Sequence, residues 1–150
     1  MEDLSVTAAT IISFAERLED TSARYYEELA ERFAEQKEKF LAFAKECRKN
    51  KVLVTRTYQE TISDALEACF SFEGLGLKDY AVGEMSTKGK SYAQALQAAV
   101  ELEEKAERFY VDVAGRCSSL LATIPRAFRR VAEARSKRKQ ELQALVERGK

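Results

Sequence analysis

The stretch LEEKAERFYVDVA, residues 102–114, is the strongest indication of the fold, because an earlier stretch of the chain repeats its pattern. That earlier copy is LEDTSARYYEELA, residues 18–30, and in both copies a glutamate comes seven residues before a tyrosine. The two pairs are Glu19 with Tyr26 and Glu103 with Tyr110. Seven residues are about two helical turns, so both members of a pair lie on one helix face. The repeat predicts two related helical hairpins that share one core. The alternative is chance likeness, since helical heptads in glutamate-rich segments resemble one another.

In four segments of the chain, residues at alternating steps of three and four are predicted to face inward. We call each such stripe a seam, and it is typical of a helix in an antiparallel bundle. The predicted inward residues are Ile12, Ala15, Glu19, Ser22, Tyr26, Leu29 and Phe33 in the first helix; Phe40, Phe43, Cys47, Asn50 and Val54, continuing towards Ala65 and Cys69, in the second; Leu96, Ala99, Glu103, Ala106, Tyr110, Val113 and Cys117 in the third; and Ile124, Phe128, Val131, Arg135, Arg138, Leu142 and Leu145 in the fourth.

A long glycine-rich segment at about 71–90 separates the second helix from the third and holds four of the six glycines. It is far longer than a helical hairpin needs, so we expect it to cross along the bundle. The whole chain, 1–150, is therefore predicted to be one all-α domain. Its expected architecture is an antiparallel four-helix bundle with a long crossover between helices 2 and 3.

The composition narrows the classes of function. The chain has 25 basic and 25 acidic side chains, so no excess charge indicates nucleic acid as a partner. No apolar run reaches the roughly 18 residues that a membrane helix needs, and no membrane partner is expected. The three cysteines are widely spaced and favour free thiols in a reducing cytoplasm. Histidine is absent, which removes the commonest general base and the commonest metal ligand.

The sequence resembles the rubrerythrin-like branch of the ferritin-like superfamily. The likeness is best in SYAQALQAAVELEEKAERFYVDVA, residues 91–114, which is similar to the third helix of that family. FAERLEDTSARYYEELAERF, residues 14–33, is similar to its first helix. The resemblance covers almost the whole chain, including the crossover, and is weakest in the second and fourth helices. It implies a ferritin-like fold, and it makes a homodimer the default assembly.

In members of this family with an intact site, the bundle holds two iron ions. One glutamate comes from each of helices 1 and 3, and a Glu-x-x-His pair comes from each of helices 2 and 4. The resemblance carries the first two positions onto Glu19 and Glu103. The other four ligand positions fall on Cys47, Asn50, Arg135 and Arg138. Because the chain has no histidine, no shift of register restores the motif, and we expect no metal and no other cofactor.

The two arginines suggest what replaces the metal. Buried carboxylates without a cation are costly, and two guanidinium groups on the same seam bring the charge of the layer to zero. We therefore predict ion pairs of Arg135 and Arg138 with Glu19 and Glu103. Asn50 is expected to complete the hydrogen bonds, with Tyr26 or Tyr110 as further candidates. The alternative is that one or both arginines extend outward to solvent.

The function predicted from these residues is structural, binding or regulatory, without catalysis. Two alternatives stay open. One is a rubrerythrin-like oxidoreductase or iron-handling protein with a rearranged site, whose ligands would come from Glu16, Glu19, Glu101, Glu103, Glu104 and Cys47. The other is a peroxide-responsive protein that uses Cys47, since a thiol near arginine can have a lowered pKa. Nothing in the sequence identifies a protein partner or a substrate.

Overall fold

The computed structural model describes residues 8–61, 76–116 and 123–148. In these ranges the chain forms four α-helices and no strand, which confirms the predicted all-α class. The helices are α1 (Ala8–Arg32), α2 (Lys37–Thr61), α3 (Tyr92–Arg116) and α4 (Thr123–Arg148). The most extensive packing joins α1 to α2 and α3 to α4, and α2 also packs on α4, as in a helix bundle. None of the described helices has the length and apolar character needed to cross a membrane.

The predicted inward seams match the buried faces of the helices. Every described side chain on the four seams is buried, except that of Phe33, which is half-buried. Four predicted seam side chains lie outside the described residues: Ala65, Cys69, Cys117 and Ile124. The alternating spacing of three and four therefore identified the core face of each helix.

The core consists of two apolar clusters with a polar layer between them. The first cluster includes Ile12, Ala15, Val54, Ala106, Phe109, Val113, Phe128 and Val131. The second includes Tyr25, Leu29, Phe40, Phe43, Leu96, Ala99, Leu142 and Leu145. The buried polar residues that come between them along the helices are Glu19, Ser22, Asn50, Glu103, Arg135 and Arg138. All four helices contribute to this layer, at the point where each passes from one cluster to the other.

The described part of the crossover, residues 76–90, lies against α1 and α3. It begins with a short 3₁₀ turn, Leu77–Tyr80, and its first five predicted residues lie outside the described ranges. The buried ring of Tyr80 packs edge-on against Phe109, 5.6 Å between centroids. The Tyr80 hydroxyl donates a hydrogen bond to Asp112 Oδ2 at 2.6 Å. The crossover is thus held to α3 by both a ring contact and a hydrogen bond.

A second anchor holds the crossover to α1 through Glu28. One carboxylate oxygen, Oε2, accepts hydrogen bonds from Thr87 N at 2.9 Å, Thr87 Oγ1 at 2.7 Å and Ser86 Oγ at 3.2 Å. Arg32 Nη1 donates to the carbonyl oxygen of Thr87. Burial alone would raise the pKa of Glu28, but these hydrogen bonds and the nearby Arg32 lower it overall. The ionised carboxylate is therefore the form that holds the crossover.

Replacing Glu28 by Gln is expected to loosen this anchor. The change removes the charge that receives three hydrogen bonds, and we expect a loss of about 1 kcal/mol in the free energy of unfolding. Hydrogen exchange at the Thr87 amide should become faster than in the unmodified chain. The matched control is Glu31→Gln, an exposed glutamate on the same helix. Equal exchange rates at Thr87 in both variants would contradict the anchoring role.

Candidate functional site

The two glutamates identified from the repeat lie fully buried in the polar layer. Glu19 is contributed by α1 and Glu103 by α3, and both side chains have no exposed surface. Each carboxylate is a group that water would hydrate strongly, so its burial requires charged or hydrogen-bonding partners. Those partners come from α4 and from one tyrosine for each glutamate: Tyr110 of α3 for Glu19, and Tyr26 of α1 for Glu103.

Arg135 connects the two glutamates. Its guanidinium is completely buried and lies with Nη2 2.9 Å from Glu19 Oε1 and with Nη1 3.0 Å from Glu103 Oε1. The contact with Glu103 is a hydrogen bond, whereas the contact with Glu19 Oε1 is an ion pair whose angle falls outside hydrogen-bond geometry. Nη2 also donates to Ser22 Oγ at 3.0 Å. One side chain from α4 thereby ties α1 to α3.

Arg138 lies one helical turn further along α4 and binds Glu103 as well. Its Nη1 is 3.2 Å from Glu103 Oε2 and 3.3 Å from Oε1, and 3.2 Å from Cys47 Sγ. Nη2 donates to Glu46, which is about half exposed. The side chain of Arg138 itself is only 1% exposed, so the alternative in which it extends to solvent does not hold.

The two tyrosines of the repeat exchange partners across the core. Tyr110 donates to Glu19 Oε2 at 2.5 Å, and Tyr26 donates to Glu103 Oε2. Each tyrosine therefore binds the glutamate of the other copy of the repeat, and not the glutamate seven residues before it. This reciprocal arrangement is what two related hairpins facing each other would produce. Both hydroxyls are fully buried, and burial beside a carboxylate raises their pKa values well above 10.

The electrostatics of the layer are those of a balanced set of charges. Burial alone would raise the pKa of Glu103, but Arg135, Arg138 and the Tyr26 hydrogen bond together lower it. Burial acts in the opposite direction on Arg135, and the two carboxylates more than offset it, so the pKa of Arg135 is raised well above its ordinary value. Both Glu103 and Arg135 are therefore charged at neutral pH.

Two predicted positions and one unpredicted residue complete the site. Cys47 is a buried free thiol, and burial raises its pKa to about 12 even though both arginines lower it. Asn50 is buried at the layer, but its Nδ2 atom has no hydrogen-bond partner among the described residues. Ser22 Oγ accepts a hydrogen bond from Arg135 Nη2 instead, and on the outer side Glu46 accepts one from Arg138 Nη2. Ser22 was on a predicted seam, whereas Glu46 is on the exposed face of α2, where no pattern distinguishes it from other glutamates.

The residues present do not suit two iron ions. The carboxylate oxygens of Glu19 and Glu103 would have to bind iron, but they are already paired with the guanidinium groups of Arg135 and Arg138. Within the described ranges, no group of three or more carboxylate, thiol or imidazole side chains is placed to hold a metal. Of the other carboxylates considered from the sequence, Glu16 accepts a hydrogen bond from Thr55, and Glu101 and Glu104 are exposed.

Comparisons of this chain with protein-family models, with curated proteins and with solved structures give no match. The chemistry of the site therefore follows from its own residues. Two buried anions, two buried cations and two buried hydroxyl donors form a connected, almost completely enclosed network. Such a network stabilises one arrangement of helices, and its charges are already paired with one another.

Arg135→Leu should strongly destabilise the protein, because it leaves two buried carboxylates with one buried cation. We expect a loss of about 3–5 kcal/mol in the free energy of unfolding, the usual cost of breaking a buried ion pair. Urea unfolding followed by circular dichroism measures it. Arg129→Leu is the matched control, since Arg129 is exposed on the same helix and should change stability by less than about 0.5 kcal/mol. Equal losses in the free energy of unfolding for Arg135→Leu and Arg129→Leu would rule out the buried ion pair.

The pKa directions predict a plateau of stability between about pH 5 and about pH 9. Glu103 has a lowered pKa, so its contribution to the free energy of unfolding is complete above pH 4.5, the ordinary pKa of a glutamate, and is lost as the pH falls further. Tyr26 and Cys47 have raised pKa values. Their contributions to the free energy of unfolding are therefore complete below about pH 10 for Tyr26 and about pH 9 for Cys47, and are lost at higher pH. Urea unfolding at constant ionic strength across this range checks both limits. Maximal stability below pH 4 would contradict the assignment of charges.

Proposed function

We propose that this chain is a ferritin-like protein of the rubrerythrin-like kind that has lost its di-iron site and carries an ion-pair layer in its place. The observation that supports the proposal most directly is the position of Arg135, buried between Glu19 and Glu103 and in contact with both. A guanidinium at this point supplies positive charge where the resemblance implies metal. The role that follows is structural, binding or regulatory, without redox catalysis.

The order of the clusters along the chain supports the ferritin-like arrangement. α1 and α4 pass from the first apolar cluster to the second, whereas α2 and α3 pass from the second to the first. That order is expected when α1 is antiparallel to α2 and α3 is antiparallel to α4. The crossover between the two hairpins and the reciprocal tyrosines fit the same scheme. The homodimer implied by the resemblance stays a prediction, which sedimentation velocity would check.

The alternative of a peroxide-responsive thiol is less well supported by the surroundings of Cys47. Its side chain has no exposed surface, and its raised pKa keeps it protonated at neutral pH. A protonated, buried thiol is a poor nucleophile towards peroxide. Cys47 then serves as a packing residue that also contacts Arg138.

Iron content distinguishes the proposal from a rearranged metal enzyme. We expect the protein purified from iron-supplemented medium to contain fewer than about 0.1 iron atoms per chain by mass spectrometry, because each carboxylate of the layer already binds a cation. Its melting temperature should not change after treatment with a chelator. Two tightly held iron atoms per chain would overturn the proposal.

Restoring the missing ligands tests the inherited geometry separately. The variant Cys47→Glu, Asn50→His, Arg135→Glu and Arg138→His recreates a Glu-x-x-His pair on α2 and another on α4. We expect it to bind two iron atoms per chain and to be more stable with iron than without it. The matched control carries only the two α4 changes and should bind iron much more weakly. A folded four-residue variant that binds no iron would show that the assigned register is wrong.

A further inference from the structure

An open surface cavity between α2 and α4 leads to the outer side of the buried layer. Its volume is about 410 Å³, and its lining includes Phe43, Glu46, Lys137 and Arg138. Clefts of this size are typical of small-molecule sites. The cavity is of interest because a fully buried arginine lies in its wall.

The guanidinium of Arg138 is held in place on several sides. Nη1 binds Glu103 and contacts Cys47 inside the core. Its central carbon lies 5.8 Å from the ring centroid of Tyr26 and 5.6 Å from that of Phe43, which gives two cation–π contacts. A guanidinium fixed in this way needs no reorganisation to receive an anion.

One edge of that guanidinium is incompletely used. The Nε and Nη2 atoms form one of the two-pronged edges that match the two oxygens of a carboxylate. Nη2 donates to Glu46, whereas Nε is buried and has no hydrogen-bond partner. Buried donors without partners are uncommon in folded proteins. Arg138 therefore has one donor on this edge that its present partner leaves unsatisfied.

Glu46 is the group that occupies this edge, and its side chain is only partly buried. Its side chain is 49% exposed, so a change of rotamer would carry the carboxylate out into solvent. On leaving, it would leave Nε and Nη2 of Arg138, a residue of the cavity wall, both without an acceptor. Glu46 thus resembles an internal substitute for a ligand of the same chemistry.

We propose that this cavity is a binding site for a small organic carboxylate, which displaces Glu46 and receives hydrogen bonds from both Nε and Nη2 of Arg138. Phe43, with the two alanines of the lining, Ala42 and Ala134, offers apolar surface for the body of the ligand. On the rim, Lys137 is exposed, and Lys39 is paired with Glu141 at 3.2 Å. A carboxylate site here explains two observations: the buried Arg138 is paired with a half-exposed glutamate, and its Nε atom has no hydrogen-bond partner.

The inference supplies a ligand class for the binding role proposed above, and it rests on that proposal, because Arg138 is available only in a layer without metal. The two can nevertheless fail separately. Iron content measured on the same preparation decides the proposed function. Carboxylate binding by the iron-free protein decides the ligand site.

Glu46→Ala tests the site by chemical rescue with acetate. The substitution removes the atoms of one acetate ion and leaves Arg138 with two unpaired donors. At pH 7 and constant ionic strength, replacing 100 mM chloride by 100 mM acetate should raise the melting temperature of the variant by about 3 °C, if the dissociation constant is near 10 mM. The unmodified chain should show less than a third of that increase, because its own glutamate competes.

Glu141→Ala is the matched control, since Glu141 lines the same cavity but pairs with Lys39 rather than with Arg138. Acetate should raise its melting temperature no more than it does for the unmodified chain. Equal increases in both variants would show a general salt effect and overturn the proposal. Rescue of Glu46→Ala by phosphate but not by acetate would overturn the assignment to carboxylates.

Binding to the unmodified chain is the decisive measurement. Benzoate, which adds an apolar ring to the carboxylate, should shift the nuclear magnetic resonance signal of the Arg138 Nε–H in a saturable way. Its affinity for Glu46→Ala should be about tenfold higher, because the internal competitor is absent. Rescue by acetate in the variant without any benzoate binding to the unmodified, iron-free chain would show that Glu46 is a structural partner only, and the ligand site would be wrong.

Discussion

The buried set of two carboxylates and two guanidinium groups requires the four helices to pack in one register. Each of these charges would be costly alone in the core, and each becomes tolerable because its counter-charge is within about 3 Å. All four helices meet at this layer, and three of them supply its charges. The helices therefore have to be in one register for the layer to be neutral. A slip of one turn in α4 would move either Arg135 or Arg138 out of the layer and leave an excess of buried negative charge.

The repeat within the chain explains the shape of the network. Glu19 and Glu103 occupy equivalent positions in the two repeated stretches, and so do Tyr26 and Tyr110, which bind across the core to the glutamate of the other copy. The arginines break this symmetry, because both come from α4 and the equivalent positions of α2 hold Cys47 and Asn50. Arg135 binds both glutamates, whereas Arg138 binds only Glu103 and then reaches Glu46. The asymmetry is what brings one arginine close to the surface cavity.

Much of this could be predicted from the sequence because the seams have a strict period. The alternating steps located the inward face of each helix. The chain has no histidine but has two arginines on a seam, and this combination predicted the ion pairs that the structure contains. Asn50 was expected to complete the hydrogen bonds of the layer, but its Nδ2 atom has no partner among the described residues, because hydrogen bonding depends on rotamers that no pattern specifies. Glu46 was missed for a different reason. It lies on the exposed face of α2, and it matters only because the arginine that it pairs with, Arg138, is buried. The cavity likewise depends on how α2 and α4 pack, which spacing alone does not determine.

The charges of the layer are present because they balance one another, and a compensating pair of substitutions is the sharpest test of this balance. Arg135→Leu leaves two buried carboxylates and one buried cation. Adding Glu19→Gln removes the excess negative charge and keeps an oxygen for Tyr110. The double variant is expected to be more stable than Arg135→Leu alone, with a coupling of about 2 kcal/mol in urea unfolding. Additive losses, with the double variant less stable than either single variant, would contradict it.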